Sequence, residues 1–275
     1  MKTIKLFYWS SKLFEHKPHE NYGDLLSPYI VEQVSNSKAR FFKPGKGFKS
    51  LFKKSYLMAI GSIMSHAQKK AVVWGSGILS RNDTFEKATF YAVRGPLSRK
   101  RVLEQGYSCP EIYGDPALLL PLYYKPEQSK KYKLGIIPHY VDYTMVQDDL
   151  GQQEGVSIID LISDDIFATT DQICACEKII SSSLHGVIVA HAYGIPALWV
   201  PFSKKLSGDN VKFEDYFRSV QIEPYHLDVP SRPLQLEEIM ALWDKLPTLP
   251  APQVIPALQD ALIKAFPAMY KGPEN

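Results

Sequence analysis

The chain has 275 residues, 45% of them hydrophobic and 22% charged, and carries a net charge of +3. That composition excludes global disorder, and the charge is too small for a nucleic-acid binder. The length suits one large domain or two of roughly 120 residues each.

In chain order, Ile4 to Trp9 is a short run of β formers and predicts a first strand. A polar stretch leads to Asn21-Tyr22-Gly23-Asp24. Leu25 to Val34 then places apolar residues at helical spacing, with Pro28 tolerated in the first turn. From Gln33 to Asn82 there is no Asp or Glu. Lys38, Arg40, Lys43, Lys46, Lys49, Lys53 and Lys54 lie there, with Phe41, Phe42, Phe48 and Phe52 between them. Such a stretch suits an anionic membrane surface, where each cation contributes about 1 kcal/mol. A solvated basic loop has the same composition.

Tyr56 to Ile60, Ala71 to Trp74 and Phe90 to Val93 predict three more strands. They run into Gly61-Ser62, Gly75-Ser76-Gly77 and Arg94-Gly95-Pro96. A helix is predicted from Pro96 to Gln105, closed by Gly106. Glu111 to Tyr113 reads as a further strand ending at Gly114-Asp115-Pro116. Gln128 to Lys133 is a polar, basic linker, and the pattern then restarts. Strands are predicted at Leu134 to Pro138, Val156 to Asp160, Lys178 to Ser181 and Ala197 to Val200. Helices are predicted at Asp164 to Glu177 and Val187 to Tyr193. An amphipathic helix over Leu236 to Trp243, a proline-rich extended segment and a helix over Ala257 to Phe266 complete the chain. Short strands alternating with helices predict an α/β fold with parallel βαβ units. Two such runs predict two Rossmann-like domains, residues 1–127 and 128–275, facing a central cleft. Transferases of that build commonly return a terminal helix to the first domain.

Cys109, Cys174 and Cys176 lack the count and spacing of a disulfide framework or a zinc site, so free thiols in a reducing cytoplasm are expected. The N-terminus lacks the long apolar run of a signal peptide. The most apolar segment, Val187 to Phe202, is interrupted by His191, Gly194 and Pro196 and is too short to span a bilayer. A soluble, intracellular protein is expected.

In open α/β sheets, ligands bind beyond the carboxyl ends of the strands, and the unusual residues collect there. Ser181-Ser182-Ser183-Leu184-His185-Gly186 is the densest cluster. The N–H groups of the helix that follows attract phosphate or carboxylate, and His185 titrates near working pH as a general acid. Serines capping a helix beside a packed histidine would look the same. Arg94 offers a bidentate fork for an anion or a surface ion pair. Asp24 and Asp115 suit either the handling of a sugar hydroxyl or turn capping. Gly75 and Gly77 allow close backbone approach to a ligand. His139 is a second acid/base candidate, and His191 is expected in the core. There is no P-loop, HExxH motif, DxD triad or acidic metal cluster.

Seven segments in order resemble the polysaccharide pyruvyl transferase family. They are Asn21-Tyr22-Gly23-Asp24, Gly75-Ser76-Gly77, Val93 to Ser98, Tyr113 to Ala117, Gly135 to His139, Ser183 to Gly186 with Tyr193 to Pro196, and Lys212 to Phe217. The resemblance implies a GT-B-like pair of domains, acceptor side first and donor side second. It implies phosphoenolpyruvate as donor and a hexose of a surface polysaccharide, or of its lipid-linked precursor, as acceptor. No metal or organic cofactor is implied. The family's Leu-His-Gly histidine falls on His185. Many members carry Arg where this chain has Ser183, so the donor is expected to be held by Arg94, Lys212, His139, Ser182, Ser183 and Gly186. The acceptor is expected against Asn21, Gly23, Gly75 and Gly77, with its hydroxyl positioned by Asp24 or Asp115. A lipid-linked acceptor would place the basic stretch at the inner membrane face. The rival expectations are a nucleotide-sugar glycosyltransferase of the same architecture and a non-catalytic subunit of polysaccharide assembly.

Overall fold

A computed structural model describes residues 3–45, 55–126, 129–206 and 208–272. Lys46, Phe48, Lys49, Phe52, Lys53 and Lys54 of the basic stretch lie outside the described residues, as does the predicted junction at residues 127 and 128.

The first half holds β1 (Thr3–Phe7), α1 (Ser11–Glu15), α2 (Tyr22–Ser35), β2 (Lys38–Phe41), β3 (Tyr56–Met58), β4 (Ala71–Trp74), β5 (Thr89–Ala92), α3 (Pro96–Glu104) and α4 (Leu120–Tyr123). Its strands form one parallel sheet in the order β2-β1-β3-β4-β5. The second half holds β6 (Leu134–Ile137), α5 (Tyr143–Leu150), β7 (Val156–Ile158), α6 (Ile166–Cys174), β8 (Ile179–Ser181), α7 (Leu184–Ala192), β9 (Ala197–Trp199), α8 (Val211–Ser219), α9 (Leu236–Met240) and α10 (Val254–Ala265). Its strands form a second parallel sheet in the order β7-β6-β8-β9.

Alternation along each strand sorts side chains to opposite faces. Ile4, Leu6, Leu57, Val72 and Trp74 join a core cluster that also contains Leu26 and Ile30 of α2, Val187 to Ala190 of α7 and Leu262 of α10. Phe7, Tyr56, Met58, Ala71 and Val73 face a separate cluster with Phe85, Phe90 and Val102. Leu134, Ile136, Ile180 and Leu198 cover the outer face of the second sheet with Leu234 and Ile239. The first cluster runs through both halves, so the two sheets share apolar packing. Helix α10 closes over the first sheet: Trp74 Nε1 donates to Leu262 O at 2.9 Å, and Gln259 Nε2 donates to Leu118 O at 2.7 Å.

Several elements differ from the sequence expectation for local reasons. Glu111 to Tyr113 is not a strand; it makes a single bridge, Val93 to Tyr113. Pro110 and Pro116, which cannot donate to a ladder, bracket it too closely for more. Helix α7 starts at Leu184, not Val187, which places His185 and Gly186 in its first turn. Helix α6 starts at Ile166, because the Asp165 carboxylate caps the amides of Phe167 and Ala168. Lys38–Phe41, the start of the basic stretch, is an edge strand with exposed Lys38 and Arg40, a charged edge that resists further pairing.

The strand orders position the site. Chain order reverses between β1 and β3 in the first sheet and between β6 and β8 in the second. Crevices open at the carboxyl ends of such strand pairs. Trp9 follows β1, Gly61 to Ile63 follow β3, His139 follows β6, and Ser183 to His185 follow β8. All of them line one cleft.

Candidate active site

The cleft has a volume of about 290 Å³. Its first-half wall includes Trp9, Glu15, Asn21, Asp24, Ser62 and His66; its second-half wall includes His139, Tyr140, Ser183, Leu184, His185 and Lys212.

The two walls are tied at residues 20–24. The Asn21 side chain caps α2 by accepting from Gly23 N at 3.0 Å. Its backbone bridges Ile162, and Tyr22 N donates to Leu161 O at 2.7 Å. Asp164 accepts from Glu20 N at 2.9 Å and pairs with Lys12 at 2.8 Å. The sequence reading put Asp164 at a helix start; it serves as this clamp instead. Gly23 then lies under the His185 ring, where an added Cβ would come 1.9 Å from Nδ1.

His185 has its Nε2 buried with no hydrogen-bond partner among the described residues. Burial pushes its pKa down to about 3, with Lys212 and Arg94 adding repulsion. Lys212 sits in the first turn of α8, and among the described residues it has no carboxylate ion-pair partner. Burial brings its pKa down to about 8, with Arg94 contributing. His139 is pushed down to about 4 by burial, then by Lys212 and Lys17, against Glu15. Ser183 occupies the N-cap of α7, and no side-chain hydrogen bond caps that helix end. This side of the cleft therefore presents the Lys212 ammonium and an uncapped helix start, features that favour an anion.

The opposite side is acidic. Asp24 is raised well above the usual carboxylate range by burial, then by Glu15 and Glu20, with Lys17 opposing. Glu15, despite its own burial, is held below its usual range by Lys17 and by the Trp9 indole, which donates to it at 2.7 Å. Asp24, with its raised pKa, and His185 line the same cleft from opposite walls, two groups able to exchange protons across the space a ligand would fill.

A model of the polysaccharide pyruvyl transferase family matches residues 21–203. The chain belongs to this family. It is 30% identical over 211 residues to the uncharacterized protein L143 of Acanthamoeba polyphaga mimivirus, covering 74% of this chain and 72% of that one. It is 25% identical over 244 residues to the succinoglycan biosynthesis protein ExoV of Rhizobium meliloti strain 1021, covering 83% of this chain and 69% of that one. Family membership supports pyruvyl transfer by an enzyme as the general chemistry.

The family's segments meet in pairs. Arg94 Nε pairs with Asp215 at 3.1 Å, and Asp215 also accepts from Leu97 N, Ser98 N and Ser98 Oγ. That joins Val93 to Ser98 with Lys212 to Phe217 and fixes the start of α8, hence Lys212. Gly75, at φ 96°, packs on Pro116, and an added Cβ would come 2.2 Å from its Cδ. Ser182 Oγ accepts from His139 N at 2.7 Å, joining the loops after β6 and β8. His191, as expected, is in the core, bonded to the Tyr216 hydroxyl and to Thr248 O.

Of the residues expected to touch ligand, Asn21, Asp24, His139, Ser183, His185 and Lys212 line the cleft together. Arg94 lies behind the wall. It is fully buried, and its remaining nitrogens donate to Ser62 Oγ and Ile78 O, both at 2.6 Å. Gly77 is the notch that admits that guanidinium, 2.3 Å from an added Cβ. Asp115 is fully buried and caps Ala117 N at 3.0 Å; burial raises its pKa to about 6. Ser182, Gly186, Gly23, Gly75 and Gly77 shape and space the loops rather than lining the cavity. Trp9, Glu15, Ser62 and His66 were missed. Only Ser62, in a Gly-Ser strand end, carried a local signal; the others reach the site through the folding of α1 and of the loop after β3. Among the described residues no three His, Cys, Asp or Glu side chains gather as a metal site would require. No described helix is long and apolar enough to cross a membrane.

Proposed function

We propose that this protein transfers the enolpyruvyl group of phosphoenolpyruvate to a hexose of a surface polysaccharide or its lipid-linked precursor, forming a pyruvate ketal without a metal or organic cofactor. The reading is carried by the cleft between the two parallel sheets, where Lys212 and the uncapped start of α7 flank His185, whose buried Nε2 has no hydrogen-bond partner among the described residues. We read the sheets as two Rossmann-like domains of GT-B type, residues 1–127 for the acceptor and 128–275 for the donor.

Donor phosphate and carboxylate lie against Lys212, His139, Ser183 and the amides of the first turn of α7. Arg94 acts from behind, by potential and by fixing Ser62 and Asp215. Burial, then repulsion from Lys212 and Arg94, keeps His185 neutral; a bound anion offsets both by attracting the imidazolium, so the imidazole gains a proton as the donor arrives. His185 then protonates the methylene carbon. Positive charge develops at the adjacent carbon, and a sugar hydroxyl held near Asp24 attacks it, passing its proton to the Glu15 carboxylate on the same side of the cleft. Phosphate leaves by C–O cleavage, and a second hydroxyl of the same sugar closes the ketal, its proton balancing the departing phosphate. General acid help contributes roughly 10²- to 10⁴-fold.

The test is release of inorganic phosphate from phosphoenolpyruvate with a panel of hexosides, wild type against His185→Gln. Acceptor-dependent release that the variant loses supports the reaction and the acid role. No release and no thermal stabilisation by phosphoenolpyruvate overturns it. Stabilisation by UDP- or GDP-sugars instead would point to a glycosyltransferase, and by neither to a non-catalytic subunit.

A further inference from the structure

Ser62 lies in the loop after β3 and lines the cleft beside Asp24, on the wall opposite Lys212 and His185. Its Oγ accepts from Arg94 Nη1 at 2.6 Å. We propose that Ser62 is a donor-binding residue, whose hydroxyl gives its hydrogen to an anionic oxygen of bound phosphoenolpyruvate, with Arg94 as the positioning residue behind it. The proposal rests on the phosphoenolpyruvate reading for the name of the anion, and on the Arg94–Ser62 geometry for the contact.

A guanidinium has N–H donors and no acceptor. Arg94 therefore occupies a lone pair of the Ser62 oxygen and leaves the hydroxyl hydrogen to point elsewhere. Among the described residues no group accepts that hydrogen, Asp24 on the same wall included. Ser62 lines the cleft, so its acceptor is what fills the cleft. The charge behind the oxygen selects that acceptor. A hydroxyl polarised by a cation is a stronger donor and a poorer acceptor, which favours an anionic oxygen over a neutral sugar hydroxyl. Asp215 holds a different edge of the guanidinium, at Nε, and shares its own charge with Leu97 N, Ser98 N and Ser98 Oγ. Lys212 and His185 still feel repulsion from Arg94, so Asp215 does not cancel that charge at the cleft.

The loop is also fixed before a ligand arrives. Gly77 N donates to Gly61 O at 3.1 Å, and Met64 N donates to Gly77 O at 3.2 Å, which pins the backbone on both sides of Ser62. A hydroxyl held in this way loses little freedom on binding.

Calorimetry on the whole protein measures the Kd of phosphoenolpyruvate and of inorganic phosphate for wild type, Ser62→Ala, Ser62→Thr and Ser62→Cys, with a denaturant melt of each. Ser62→Ala leaves Arg94 Nη1 without its partner and is expected to be less stable, so Ser62→Thr and Ser62→Cys, which both fill the position, carry the comparison. The expected result is a Kd for phosphoenolpyruvate raised about tenfold in Ser62→Ala and Ser62→Cys. Ser62→Thr, which restores the hydroxyl, stays within about threefold of wild type. Arg94→Lys, with one nitrogen in place of three, weakens binding on its own and adds less than about twofold in Ser62→Ala, because both act through one contact. A folded Ser62→Cys that binds phosphoenolpyruvate as wild type does, a Ser62→Thr as weak as Ser62→Cys, or additive losses for Arg94→Lys and Ser62→Ala would overturn the proposal. Inorganic phosphate bound through Ser62, with no turnover of phosphoenolpyruvate by wild type, would leave the contact standing and remove the pyruvyl-transfer reading. Turnover by wild type with unchanged affinity in Ser62→Cys would do the reverse, and no binding of either anion would remove both.

Discussion

Gly23 and His185, 162 residues apart in sequence, are in contact, and the hydrogen in place of a side chain on Gly23 is what lets the imidazole reach the cleft. An added Cβ would meet the ring at Nδ1, Cγ and Cε1, all within 2.7 Å. Helix α2 therefore sets the position of a group carried by α7.

Gly23→Ala isolates this contact. Gly23 is in the first turn of α2, where Ala is at least as good a helix former as Gly, so any loss reports the clash. The expected outcome is a folded protein destabilised by roughly 1–3 kcal/mol, with turnover reduced at least as far as in His185→Gln. Denaturant melts and phosphate release check it; full turnover in Gly23→Ala would show that the ring relocates without consequence.

His185 should titrate far below an ordinary histidine in the free protein and move up when donor binds. NMR of the imidazole C–H, with and without phosphoenolpyruvate, measures both. Its folded pKa of about 3 lies below its unfolded value, so the folded state holds fewer protons between them. Stability from this residue is thus lost as pH falls from about 6.5 toward 3. Asp115, raised to about 6, slopes the other way, so the His185 contribution is read as wild type minus His185→Gln.

Lys212 should impose an alkaline limit on donor binding. Its ammonium loses its proton above a pKa of about 8, so the Kd for phosphoenolpyruvate should rise between pH 8 and 9.5. Lys212→Arg should remove that limb, and Lys212→Met should weaken binding roughly tenfold or more at pH 7. Because the unfolded amine holds its proton to about 10.4, folding stability from this residue rises with pH across that interval. A flat pH profile in the wild type would sink the assignment of Lys212 to the donor.

Arg94 and Asp215 form a fully buried pair, and breaking it by Arg94→Ala should cost about 3–5 kcal/mol. Its effect on donor affinity in the folded fraction should be smaller than that of Lys212→Met. The opposite ranking, measured by denaturation and by calorimetry on the two variants, would put the guanidinium in direct contact with donor.

Exposed Lys38 and Arg40 on β2 belong to the acid-free stretch. If that stretch docks on anionic lipid, the protein should sediment with phosphatidylserine vesicles at low salt and be released at 1 M, where the Debye length falls to about 3 Å. Failure to sediment at low salt removes the membrane expectation.

Most of the strand runs, the parallel α/β class and the family segments were legible from residue order, though the edge strand β2 was not, and the fold brings Asn21, Asp24, His139, Ser183, His185 and Lys212, all singled out from the sequence, to one cleft. Period and turn chemistry are local properties, and each segment carries its own. Arg94 shows what is not local. An arginine at a strand end reads as an anion fork, yet Asp215, Ser62 and Ile78 take up its guanidinium, and no local pattern announces a partner 121 residues away. Gly75 and Gly77 read as backbone room for a ligand, and tertiary packing fills that room with Pro116 and Arg94. The same holds for Trp9 and His66, ordinary in sequence and placed in the cleft by the strand reversals of the first sheet. Sequence determined which chemistry was present; only the fold decided which groups face the cavity, because burial and pairing depend on what arrives from the other half of the chain.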